Sequence, residues 1–145
     1  MFKSSHLKWF VVVIALMILS LATVSPAFAS SAVGNQNPDL TVTASLTSNG
    51  ANPDQAAVGN TVNVSYSIKN NTKTRLTVTE TFALTEPNGQ SVSFSVQVTL
   101  RAGQTDAHAF SFTDGSFLPK GTYSLQLTAS DSKGASSATA TITLV

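Results

Sequence analysis

Thr61-Val62-Asn63-Val64-Ser65-Tyr66-Ser67-Ile68-Lys69 sets an apolar side chain at every second position with polar ones between, and this stretch decides the fold class. Successive side chains of a strand point to opposite faces, so a period of two means one face toward a core and one toward water. A helix would need apolar residues three and four apart, and the chain beyond its first thirty residues shows no such stretch.

The same alternation recurs on both sides. Leu40, Val42, Ala44 and Leu46 precede it as a first strand. Between them Ser48 to Asn60, with its Asn-Gly and Asn-Pro pairs, reads as a loop. A third strand, Arg75 to Thr85, puts Leu76, Val78, Phe82 and Leu84 on one face, with Glu80 in the same row. A carboxylate there conflicts with burial, and the expectation is a bulge that shifts the register or a local opening to solvent. Glu86-Pro87-Asn88-Gly89-Gln90 contains the Asn-Gly pair that marks a hairpin, pairing the third strand with a fourth, Val92 to Leu100. His108, Phe110 and Phe112 define a fifth strand, and Tyr123, Leu125, Leu127 and Ala129 a sixth. Asp131-Ser132-Lys133-Gly134 turns the chain into a seventh, with Ala138, Ala140, Ile142 and Leu144. Seven short antiparallel strands with turns every 8 to 12 residues predict an all-β, immunoglobulin-like Greek-key sandwich. A small barrel is the alternative.

Residues 1 to 29 have another character. Lys3 and Lys8 lead an apolar run from Trp9 to Ala22, and Ala27 and Ala29 form the small-residue pattern of a signal-peptide cleavage site before Ser30. The expected division is a signal peptide over 1–29, a polar leader over 30–38 and a sandwich domain over 39–145. Retention of the apolar run as an anchor is the competing reading. Removing 29 of the 145 residues leaves 116. Six basic residues then face seven acidic ones, and the net charge moves from +1 to −1. Only 10% of residues are charged, against about 25% ordinarily, which leaves no general attraction for nucleic acid. Absence of cysteine excludes a disulfide framework, a thiolate metal site and a lipidated cysteine. Serine and threonine supply the polarity instead. The expected location is secreted or at the cell surface, with no membrane span in the mature chain.

Four short stretches carry a resemblance. Pro38-Asp39-Leu40-Thr41-Val42, Gly59 to Asn70, Leu100-Arg101-Ala102-Gly103-Gln104 and Leu118-Pro119-Lys120-Gly121-Thr122-Tyr123 resemble the landmarks of bacterial immunoglobulin-like domains of the CARDB type, related to cell adhesion. The resemblance implies the sandwich fold and a surface role. Tyr123, just after a glycine turn, fits the tyrosine corner, whose hydroxyl bonds back to the preceding loop. The second and fourth stretches also resemble small sandwich proteinase inhibitors of the BsuPI type, for which Ser48 to Asn60 would be the inhibitory loop.

Catalysis is not expected. Beyond the signal segment His108 is the one histidine, and a triad would need it with Asp106 or Asp114, yet its parity matches Phe110 and Phe112. Glu80 and Glu86 have no evident partner, and no cofactor is expected. The aromatic residues share inward parity except Phe117, which argues against a carbohydrate platform. Alternating strand direction gathers the loops after strands two, four and six at one end, with Lys69, Lys73, Arg75, Arg101 and Lys133. That end is the candidate surface for an acidic cell-surface polymer or partner protein. Asp39 and Asp131, with Asn70 and Asn71, offer calcium a weaker alternative there. The expected function is an exported, non-catalytic module for surface binding or structural display.

Overall fold

A computed structural model describes residues 32–35, 37–113 and 118–145. The signal segment with Ala27, Ala29 and Ser30, and the loop residues Asp114 and Phe117, lie outside the described residues. Among the described residues there are nine strands and no helix: β1 (Ala32–Asn35), β2 (Leu40–Ser48), β3 (Gln55–Ala56), β4 (Thr61–Asn70), β5 (Leu76–Thr85), β6 (Ser91–Leu100), β7 (Thr105–Thr113), β8 (Gly121–Asp131) and β9 (Gly134–Leu144). No helix among them is long and apolar enough to cross a membrane.

Alternation fixes which face each strand buries. Val62, Val64, Tyr66 and Ile68 of β4 are buried, as are Val78, Phe82 and Leu84 of β5 and Tyr123, Leu125, Leu127 and Ala129 of β8. Each large apolar side chain taken fully out of water contributes about 1.5–3 kcal/mol, so the two inner faces hold the sandwich together. Hydroxyls occupy the wet faces and pair across strands, Thr43 with Ser67 at 2.7 Å, Thr81 with Ser95 at 2.8 Å and Thr122 with Thr143 at 3.0 Å.

The larger sheet runs β1-β9-β8-β5-β6 and the smaller β2-β4-β7, with all these neighbours antiparallel. The hairpin expected at Asn88-Gly89 joins β5 to β6, with Gly89 at a φ of 82°. Tyr123 makes the expected corner, its hydroxyl donating to the Pro119 carbonyl at 2.9 Å. Gly121 starts the same strand at a φ of 129°, where a Cβ would lie 2.6 Å from Cβ of Pro87. Only glycine lets β8 begin against the β5–β6 turn.

Three expectations change. The polar leader contains β1, which pairs with β9 from Ala32↔Thr139 to Asn35↔Ser136. A Gly-containing polar segment carries little alternation, so its pairing is set by the neighbouring edge. The loop Ser48 to Asn60 contains β3, parallel to β9 at Gln55↔Thr143 and Ala56↔Leu144. Further bonds, Ser48 N to Pro53 O at 2.7 Å and Thr143 N to Asp54 O at 3.0 Å, tie that segment down. Together β1 and β3 meet the outer edge of the last strand. Glu80 is the third: it is 2% exposed, and the β5 register with β6 and β8 runs through it without a bulge.

Candidate functional site

The loops after β4, β6 and β8 do come together at one end, tied by the main-chain bonds Asn70 N to Gln104 O at 2.9 Å and Gly103 N to Thr72 O at 3.2 Å, by Lys133 to Asp39, and by one buried side chain that joins the first two loops. Asn70, closing β4, donates through Nδ2 to the carbonyls of Thr74 at 2.7 Å, Leu100 at 3.3 Å and Arg101 at 2.9 Å. Its Oδ1 accepts from Thr72 N and Thr72 Oγ1 at 2.9 and 2.8 Å. Asn71 reaches the entry of β2, donating through Nδ2 to Pro38 O at 3.1 Å and Thr41 Oγ1 at 2.9 Å. The turns are thereby one connected surface rather than three independent loops.

Lys69, Lys73, Arg75 and Arg101 stand exposed on that surface. Lys133 differs, because its ammonium bonds to Asp39, which holds its pKa above the usual lysine value. Asp39 and Asp131 are also engaged: Asp131 Oδ1 accepts from Asn37 Nδ2 at 2.8 Å and Lys133 N at 2.7 Å. Among the described residues no three His, Cys, Asp or Glu side chains form a group that could hold a metal ion.

A second group was missed by reading strands one at a time. Tyr66 on β4, Glu80 on β5, and Asp106 and His108 on β7 share the interior between the sheets. Register places Tyr66 beside His108 and Ile68 beside Asp106. The Tyr66 and His108 rings stack at 5.1 Å, and His108 Nε2 lies 3.1 Å from Asp106 Oδ1. Phe82 meets Tyr66 edge-on at 4.8 Å and stacks on Phe94 at 4.8 Å. Burial, and then the negative charge of Asp106, push Glu80 up to about 7, with His108 opposing. Tyr66 is raised above its usual range by burial first, then by Glu80 and Asp106. Glu80 Oε1 and Tyr66 Oη are buried without hydrogen-bond partners among the described residues. The signal available in the sequence was parity: Tyr66, Glu80, Asp106 and His108 are all even-numbered, on the buried row of their strands.

The aromatic row is less enclosed than its parity implied. Phe94, Phe110 and Phe112 are half-buried, because the sheets part toward β6 and β7. An apolar cavity of about 40 Å³ lies between the two sheets, away from β6, lined by Leu46, Val64, Phe110, Phe112, Leu125 and Ile142 among others.

No protein-family model and no curated protein matches the chain. Solved structures do. Over 73% of this chain and 30% of the other it resembles the alkylpurine DNA glycosylase AlkC of Pseudomonas fluorescens, solved bound to DNA containing an abasic site analog, at 13% identity and a TM-score of 0.52. Over 79% and 78% it resembles the C-terminal domain of Wzt, at 10% identity and a TM-score of 0.51. The CARDB domain of a Pyrococcus furiosus protein, in complex with di-metal ions, matches over 77% and 94% at 14% identity and a TM-score of 0.46. The chain spans less than a third of the glycosylase, and at such identities the likeness is one of fold alone: an all-β sandwich.

Proposed function

We propose that the chain is an exported, non-catalytic sandwich module of immunoglobulin-like Greek-key type that works at the outside of a bacterial cell by binding or structural display. The strand order β2-β4-β7 against β9-β8-β5-β6 supports the Greek-key reading, since consecutive strands change sheet at β4–β5, β6–β7 and β7–β8. The short landmarks that resemble CARDB-type domains point the same way. The observation that carries the binding role is the loop end. Four exposed cations sit on turns fastened together by Asn70, so they present a fixed array rather than four independent side chains. Such an array attracts a polyanion without needing a pocket.

Replacing Lys73 and Arg101 by glutamate is expected to lower retention of the purified domain on isolated cell-wall material by about tenfold, a loss of two cations and gain of two repulsions worth about 1.4 kcal/mol. Raising the salt to about 0.5 M should weaken the wild type similarly, because screening then acts within a few ångströms. Unchanged retention in the double variant would reject this surface as the contact. Export is tested separately: protein recovered from the culture medium is expected to begin at Ser30.

A further inference from the structure

The two long sides of the sandwich are not alike. On one, β2 lies over β9 and β8, and β1 and β3 meet the outer edge of β9, so that side is closed. On the other, β6 ends the larger sheet and β7 the smaller one, and among the described residues no strand pairs with the outer edge of either. The inward row of β6 shows the consequence. Val92, Phe94 and Val98 are only half-buried and Val96 is 39% exposed, whereas Val78, Phe82 and Leu84 on neighbouring β5 are buried. Among the described residues the smaller sheet has no strand that lies over β6.

The edge itself is undefended. Along its nine residues β7 has no lysine, arginine, proline or bulge, features that normally discourage another strand from pairing, and its Asp106 and His108 lie on the inward row; β6 opposite has no charge and no proline. Deeper in the gap the chemistry is acidic. Glu80 is 2% exposed and Tyr66 4% exposed, and each presents a buried oxygen with no partner among the described residues. Asp106 and His108 face them from β7, while β5, β6 and β7 contain no lysine or arginine. The Tyr66, Phe82 and Phe94 rings close the same corner, and aromatic faces are favourable surroundings for a cation.

We infer that the gap between β6 and β7 accepts an extended peptide segment of a partner protein, which adds to the outer edge of β7 as a fourth strand of the smaller sheet. It lays alternate apolar side chains over Val92, Phe94, Val96 and Val98 and sets a lysine or arginine toward Glu80 and Asp106. Main-chain hydrogen bonds to β7 give the affinity, and the alternating side chains give the selectivity. The cation answers the buried carboxylate, which in an apolar corner needs an opposite charge or a donor. A second copy of the chain is poorly matched, because its own edge strands β2, β6 and β7 carry no lysine or arginine to place there.

The test uses a synthetic peptide as long as β7, with valine at every second position except the one nearest its C-terminus, which is lysine, and serine or threonine between. At pH 8 it is expected to slow hydrogen exchange at those β7 amides that do not face β4, saturably, and to raise the melting temperature. A twin with glutamate for lysine should bind about tenfold more weakly, and Glu80→Gln should shrink that ratio. A Val96→Lys variant, which places a cation on the rim without removing a buried group, should weaken the lysine peptide and fold as the wild type does. Absence of saturable protection overturns the proposal, as does an equal affinity for both peptides. Protection of β7 that grows with protein concentration and needs no peptide also overturns it, in favour of a second copy.

Discussion

Asn70→Ala is expected to lower the stability of the fold by about 3 kcal/mol, read as the shift in a urea unfolding curve, and to lower the melting temperature by on the order of 10 °C. The side chain is fully buried and serves three carbonyls and two donors at once. Alanine leaves the Leu100 carbonyl without this donor in a buried setting, and each such orphaned group costs about 1–3 kcal/mol. Loss of the amide also loosens the β4–β5 turn from the β6–β7 turn, leaving the main-chain bonds Asn70 N to Gln104 O and Gly103 N to Thr72 O between them. The basic surface should therefore lose retention on cell-wall material although every lysine and arginine is intact. A control separates the two effects: Arg101→Glu should lower retention with little change in the unfolding midpoint, since that side chain is exposed. A midpoint shift below about 1 kcal/mol in Asn70→Ala would show that the turns are held by something else.

Asn70 also illustrates what a strand-by-strand reading reaches. Its position after Ile68 and Lys69 marks the end of a strand, and the loop grouping at that end follows from alternating strand direction. The five basic residues were legible in this way, as were the seven long strands, the Asn88-Gly89 hairpin and the Tyr123 corner. Period two is a local signal, and where burial is one-sided it fixes both the strand and its register.

What was not legible depends on pairings between distant segments. Gln55 and Ala56 form a strand because β9 offers them an edge, and two residues are too few to show a period. Ala32–Asn35 is similar, since a short run through Gly34 has no preference strong enough to announce itself. Lys133 belonged to the basic group on sequence grounds but is committed to Asp39, a partner 94 residues away. The cluster of Tyr66, Glu80, Asp106 and His108 lies on three strands in two sheets. Each of its members, taken singly, reads as a misplaced or packed residue; the register of β4 with β7 makes Tyr66, Asp106 and His108 neighbours, and the packing of the two sheets brings Glu80 to them.

Glu80 also gives the fold a pH dependence of definite sign. Its carboxyl is raised from the usual 4.5 to about 7, chiefly by burial and then by Asp106, with His108 pulling the other way. Tyr66 is the remaining titratable group facing it, and its strand partners Val96 and Ala129 carry no charge. Because the folded state holds the proton more tightly than the unfolded one, this group costs nothing below about pH 4.5. Stability falls as the pH rises from there through about 7, and above that the fold contains a buried carboxylate. A difference of about 2.5 pKa units corresponds to roughly 3 kcal/mol lost over that window. Glu80→Gln keeps the shape and removes the titration. At pH 4 the variant and the wild type should unfold at nearly the same urea concentration; at pH 8 the variant should be more stable by roughly 3 kcal/mol. Carboxylates remote from Glu80 contribute equally to both proteins, so the difference between the two pH profiles reports Glu80 together with its interactions with Asp106 and His108. Parallel profiles from pH 4 to 8 would mean that Glu80 meets water or a cation in the folded state, and that its Oε1 is not enclosed between the sheets.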